Sequence, residues 1–270
     1  MKPQTSEIKS KILQLEEAED RIRQLKDTYK DETAYIIASG PSLNNYTHEY
    51  LQEFLSDKLT MSIKQSWNIL KDQTDFHLLN FCNFAPYDWS NCKSIVTWAI
   101  FEQFHPEMIF QNQLACDAMI PIYRNNPMTG GGQGPDKMKF SLAEKGDWDT
   151  MLLDENINQP WGPGIMYEMA IPLALYLGCK KIVTVGWDIG DINSFANGKD
   201  DDTQRVFQEH FYGNEHNKIQ YAKTSMGPRE ITSVANSTES LYKWLSDRGI
   251  EWNMVSDRNP GYKGIKRITL

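Results

Sequence analysis

Short runs of β-type residues recur along this chain, with helical stretches between several of them, and that alternation most restricts what it can fold into. The runs are residues 34–38 (Ala-Tyr-Ile-Ile-Ala), 59–63, 76–79, 94–99, 118–122, 181–185 and 252–255. The clearest helical stretches are 164–177 and 237–248. Strand and helix alternating at this spacing predict an α/β fold with a mostly parallel sheet and helices on both faces. In such folds ligands lie outside the carboxyl ends of the strands, so the loops that follow the strands are where function is sought.

The helix at 164–177 is apolar nearly all round, as expected of an element sandwiched against a sheet. Pro163 suits its first turn and Gly178 its end, while Pro172 should bend it. Residues 5–30 read as one amphipathic helix. Ile8, Leu15, Ile22 and Tyr29 recur every seven residues, Ala18 and Leu25 stand on the neighbouring seam, and Lys11 interrupts it. Residues 1–32 are therefore expected to form an appendage, packed on the body or on a second subunit. The body, 33–270, carries two loops: 123–137, with the flexible run Gly130-Gly131-Gly132-Gln133-Gly134, and a lid at about 190–231.

With 28 basic and 36 acidic residues the formal charge is −8, and 40% of the 270 residues are hydrophobic. The apolar fraction supports a packed core. The acidic balance argues against a protein that binds nucleic acid by replacing phosphate counterions. The most apolar stretch, 165–177, contains Glu168 and Pro172 and is shorter than the ~20 residues of a membrane span. The N-terminus has no apolar signal core. Cys82, Cys92, Cys116 and Cys179 show no metal-ligand spacing and are too few for a disulfide framework, which predicts reduced thiols and a cytoplasmic setting.

Two loops carry the strongest local signals. In Ile36-Ile37-Ala38-Ser39-Gly40-Pro41-Ser42-Leu43 a buried strand runs into a turn of small residues. Such a turn would let a ligand phosphate approach backbone N–H groups, with the Ser39 and Ser42 hydroxyls donating. It equally suits an ordinary strand-to-helix turn with Ser42 as cap. The pattern is neither the phosphate loop of nucleoside triphosphatases nor GxGxxG. In Val183-Thr184-Val185-Gly186-Trp187-Asp188 a carboxylate follows a buried strand, placed to accept from a ribose, to hold a metal or to cap a turn. Asp191 and Asp200-Asp201-Asp202 add acidity nearby. Of His48, His77, His105, His210 and His216, the last two fall in the lid, where a histidine can act as general base.

Together these motifs resemble the bacterial CMP-sialic-acid-dependent sialyltransferases of glycosyltransferase family 42. The chain is also similar to their relatives, the motility accessory factor glycosyltransferases and archaeal-type 6-hydroxymethylpterin diphosphokinases. The matching residues are Ala38 to Leu43, then Gly162-Pro163-Gly164, the helix ending at Leu177-Gly178, and Gly186-Trp187-Asp188. Gln65 and Asn80 stand where that family touches the nucleotide.

The resemblance implies a Rossmann-like nucleotide-binding fold with a mobile lid, a nucleotide-sugar donor and a glycan or glycoprotein acceptor, with no cofactor. It implies a nucleotide site of Ser39, Gly40, Pro41, Ser42, Gln65, Asn80, Gly162, Gly164, Gly186 and Asp188. Thr232 stands where the sialyltransferases carry their catalytic histidine, so His210 or His216 is the expected base, with Arg229 or a lid tyrosine, Tyr212 or Tyr221, steadying the departing phosphate. Two alternatives stay open: a magnesium-dependent diphosphokinase using Asp188, Asp191 and Asp200–Asp202, and a nucleotide-binding module without turnover. In each, the N-terminal helix is a candidate for homo-oligomer assembly.

Overall fold

The computed structural model describes residues 2–80, 87–101, 115–123, 148–149, 159–160, 165–188, 228–256, 259 and 261–270. Its centre is a nine-stranded sheet in which every pairing is parallel. The strands are β1 (Thr33–Ile37), β2 (Leu59–Ile63), β3 (Phe76–Asn80), β4 (Ile95–Phe101), β5 (Ala118–Tyr123), β6 (Gln159–Pro160), β7 (Lys181–Val185), β8 (Glu251–Met254) and β9 (Lys266–Arg267). Their spatial order is β6-β5-β4-β3-β2-β1-β7-β8-β9. The chain builds outward from β1 to β6 on one side, then crosses back to place β7 on β1's other side. The direction of winding therefore reverses between β1 and β7. This is the Rossmann-like α/β architecture expected from the alternation of elements.

Helices cover both faces. Ile36 and Ile37 point to opposite sides of β1, as neighbours in a strand must. Ile37 packs with Val183, Val185, Leu51 and Leu55, the last two from α3 (His48–Leu55). Ile36 and Ile182 pack with Ile171, Leu173, Leu241 and Leu245 on the other face. Those four come from α4 (Ile171–Tyr176) and α5 (Pro228–Asp247). Thr47 caps α3, accepting from the Tyr50 amide at 3.2 Å.

The predicted bend at Pro172 takes a specific form. The proline has no N–H and its ring would meet the carbonyl four residues back. The preceding residues, Met166–Ala170, form a π-helical turn that widens the helix there. At the other end Gly178 has φ +87°. Its amide donates to Leu175 and the Cys179 amide to Ala174, the paired bonds of a Schellman cap.

The N-terminal segment departs from the expectation of one helix. It forms α1 (Thr5–Ile12) and α2 (Ala18–Arg23), with turns between and after them. Arg21 holds the break: its guanidinium donates to the carbonyls of Leu15 and Glu16 at 2.9 Å each and to that of Asp117 at 3.2 Å. The segment packs on its own chain. Ile12, Ile22, Leu25 and Tyr29 are at most 1% exposed and belong to the main core cluster. Burials of this kind contribute about 1.5–3 kcal/mol per side chain.

Ion pairs tie the same segment to the amino edge of the sheet. Lys2 reaches Asp75 at 2.6 Å and Lys9 reaches Asp117 at 2.8 Å, just before β3 and β5. Asp75 also accepts from Thr5 and from the Thr60 amide. Its carboxyl is nonetheless pushed upward, because burial outweighs the stabilising Lys2 charge and these hydrogen bonds. After α2, the amides of Asp27, Tyr29 and Asp31 donate to the carbonyls of Tyr176, Leu177 and Gly178, which α4 leaves without helical partners.

Candidate functional site

In a parallel sheet all carboxyl ends share one edge, and the crevice opens where the winding reverses. Here that point lies between β1 and β7. The loops leaving these two strands are the two that stood out in the sequence, and they meet. The Ala38 amide donates to the Val185 carbonyl at 2.8 Å, and the Gly40 amide to that of Gly186 at 2.7 Å. Gly186 turns the chain with φ +65°. A Cβ on Gly40 would collide with the Gly186 carbonyl and lie 2.5 Å from Asp188 Oδ2. The glycine is thus required by the approach of two protein loops, where the sequence suggested an approach of ligand to backbone.

A short 3₁₀ turn (Pro41–Asn45) follows, and Asp188 holds its start. The Ser42 amide donates to Asp188 Oδ2 at 2.7 Å and the Ser42 hydroxyl to Oδ1 at 2.8 Å. Ser256, just past β8, also donates to Oδ1. Asp188 is 4% exposed. Of the roles the sequence left open for this carboxylate, the structure shows the capping of a turn, with both oxygens directed into the chain.

The serine hydroxyls are engaged in the same way. Ser39 Oγ donates to the Ile63 carbonyl at 3.0 Å. Ser66 Oγ lies 2.7 Å from the Ile37 carbonyl and 2.9 Å from that of Ile63, stitching β1 to β2. A hydroxyl has one proton to give, so in this arrangement Ser39 and Ser42 have none left for a ligand.

Gln65 follows β2 and is fully buried. Asn80 ends β3, and its buried Oδ1 has no hydrogen-bond partner among the described residues. Buried polar atoms are nearly always paired, so an orphaned acceptor on the carboxyl edge marks where a donor is wanted. Ser39, Gly40, Pro41, Ser42, Gly186 and Asp188 thus converge, with Gln65 and Asn80 following the next two strands along the same edge. Arg229 falls in the first turn of α5, which begins inside the span read as a lid. Gly162, Gly164, His210, Tyr212, His216, Tyr221 and the acidic residues after Asp188 lie outside the described residues.

Some structural roles had no sequence motif. Ser256 is one. Asn259 is another, donating to the Trp187 carbonyl at 2.9 Å while its Oδ1 accepts from the Gly261 amide at 2.7 Å. Their only signal was position, since both follow a β-type run at its carboxyl end. The Trp187 ring is fixed from below, stacked on Trp252 and edge-on to Tyr167.

His77 is a third case. The Trp89 indole donates to its Nδ1 at 3.0 Å, so Nε2 carries the proton and donates to the Lys64 carbonyl, also at 3.0 Å. Its ring stacks on Trp67 with centroids 4.8 Å apart. Burial depresses its pKa to about 3, so it is a neutral structural group. The bond braces Lys64, a non-glycine with φ +54° directly after β2.

Two clefts open away from this edge. One, of about 550 Å³, is lined by Lys2, Thr5, Asp57 and Asp75. The other, of about 400 Å³, lies among Lys30, Pro172, Lys180 and Arg248. Several of their charged groups are paired within the chain: Lys2 with Asp75, Lys180 with Asp31 and Arg248 with Asp149. Among the described residues no helix is long and apolar enough to cross a membrane.

No protein-family profile and no curated protein sequence matches the chain. Among solved structures, a MAf glycosyltransferase from Magnetospirillum magneticum AMB-1 is similar at 13% identity over 70% of this chain, with a TM-score of 0.35. The match spans 28% of that protein's chain. A likeness at that distance assigns no activity here.

Proposed function

We propose that this chain is a glycosyltransferase drawing on a nucleotide-activated sugar, most simply a CMP-linked one, with the nucleotide seated on the carboxyl edge over β1, β2 and β3. The observation that carries the reading is the orphaned Asn80 Oδ1, on the edge where the sheet reverses its winding. An amino group such as that of cytosine would supply the missing donor. The order of the motifs at 38–43, 162–164 and 186–188, and their resemblance to the sialyltransferases and motility accessory factor enzymes, supports sugar transfer.

In this reading the loop at 39–42 is a packed wall beside the nucleotide. Gln65 and Asn80 touch it, and Gly162 and Gly164 admit the sugar. A histidine from the segment after Asp188, His210 or His216, takes the acceptor proton while Arg229 faces the departing phosphate. A magnesium-dependent diphosphokinase is less well supported, because Asp188 directs its carboxylate into the chain.

A thermal-shift panel of CMP, CDP, UDP, GDP, ADP and ATP, with and without magnesium, tests this. Ligands that bind only the folded state raise its melting temperature. Stabilisation by CMP or CDP without magnesium is expected. Stabilisation by ATP alone, and only with magnesium, would transfer the assignment to the diphosphokinase.

A further inference from the structure

We infer that Asp188 and Ser256 are positioning residues that lock three loops together at the mouth of the switch-point crevice, and that Asp188 touches neither ligand nor metal. The inference rests on the nucleotide reading for what the locked loops serve, and on the geometry alone for the lock itself.

A carboxylate has about four lone-pair sites. Three are occupied: Oδ1 accepts from the hydroxyls of Ser42 and Ser256, and Oδ2 from the Ser42 amide. The Gly40 backbone passes close to Oδ2, where a Cβ would lie 2.5 Å from it, and the residue as a whole is 4% exposed. A ribose hydroxyl would have to displace a serine to bind. Magnesium, which needs its oxygens at about 2.0–2.1 Å in near-octahedral array, would have to displace several.

The donors come from different parts of the fold. Ser42 follows β1, Asp188 follows β7 and Ser256 follows β8, three strands adjacent in the sheet. One buried carboxylate therefore sets the relative placement of three loops. A second tie, from Asn259 to the Trp187 carbonyl, fixes the same β8 loop to the same turn. All three side chains are shielded, with Ser42 6%, Asp188 4% and Ser256 1% exposed. Nothing in the sequence pattern singles out Ser256, yet it supplies one of the three bonds.

Substituting Asp188 with Asn keeps the shape. The amide oxygen can take the Ser42 N–H, and the amide nitrogen can donate to the two hydroxyls, which are able to accept. Alanine removes all three bonds. A positioning role thus predicts loss in Asp188→Ala, rescue in Asp188→Asn and partial loss in Ser256→Ala. A residue that binds magnesium or a sugar hydroxyl through its charge predicts that Asn fails as badly as Ala.

Two measurements on the full chain decide this. The first is amide hydrogen exchange of residues 38–43 without ligand. The second is calorimetric titration with CMP and CDP, with and without magnesium. Exchange at 38–43 should speed up at least 10-fold in Asp188→Ala and 3- to 10-fold in Ser256→Ala, and return to within 3-fold of wild type in Asp188→Asn. Nucleotide affinity should follow the same order and be indifferent to magnesium.

Unchanged exchange in Ser256→Ala overturns its role. An Asp188→Asn chain with normal exchange and affinity as poor as Asp188→Ala overturns the claim that Asp188 makes no ligand contact. Should wild type bind neither nucleotide, the glycosyltransferase reading fails while the exchange results still decide the lock.

Discussion

Gly40 donates its amide hydrogen to the carbonyl of Gly186 across 2.7 Å, and neither glycine has room for a Cβ. This contact brings the β1 and β7 loops together at the reversal of the sheet, and it sets the conditions under which Asp188 reaches Ser42.

The first expectation concerns that contact. Gly40→Ala would drive a methyl group into the Gly186 carbonyl and the Asp188 carboxylate. Overpacking of this kind costs about 1–3 kcal/mol. Urea denaturation should show a loss in that range, with faster proteolysis near residues 38–45. A Gly40→Ala chain as stable as wild type would mean that the two loops separate without cost.

His77 gives a pH dependence whose sign can be worked out. Its folded pKa is depressed to about 3, against an ordinary value of 6.5. As pH falls below 6.5 the unfolded chain takes up a proton that the native chain refuses. The stability from keeping this ring neutral is complete above pH 6.5 and is lost as pH falls toward 3, by up to about 1.4 kcal/mol per pH unit. Urea midpoints of wild type and His77→Phe between pH 7 and 4 should therefore converge on acidification. Parallel curves would show that the ring titrates in the folded state.

The N-terminal segment is expected to be indispensable to the body. Leu25 and Ile12 are fully or almost fully buried in the main core. Leu25→Ala or Ile12→Ala should each cost about 2–5 kcal/mol. A chain lacking residues 2–31 should fail to give a cooperative melt, since it would expose the cluster and leave the α4 carbonyls without donors. A cooperative, monomeric truncation would show that the body folds without this segment.

Gly178 supplies a fourth test. Its left-handed conformation costs an ordinary residue about 1–2 kcal/mol, and a Cβ there would stand 3.0 Å from Lys30 Cα. Gly178→Ala should lower the melting temperature and loosen the 27–31 turn, as seen by hydrogen exchange there.

The sheet was legible in the sequence because parallel strands buried on both faces are continuous apolar runs. Residues 59–63 and 181–185 were read with the bounds that the structure shows. β6 and β9 were not legible, since a two-residue strand has no periodicity. The N-terminal heptad misled for a different reason. The seven-residue spacing is present, but Arg21 satisfies the carbonyls of a break at Leu15 and Glu16, and packing then selects Ile12 over Leu15. At the site, spacing showed which loops matter but not which way their groups face. Only tertiary geometry reveals that Asp188 points inward, that Ser42 and Ser39 have committed their protons, and that Asn80 Oδ1 meets no donor among the described residues.

The most direct test of the account is a hydrogen-exchange footprint of the wild-type chain with saturating CMP. The account predicts slowed exchange at residues 38–43, 63–66 and 79–80, on the carboxyl edge over β1, β2 and β3. Binding that leaves those amides unchanged and protects another part of the chain, or no binding at all, would contradict it.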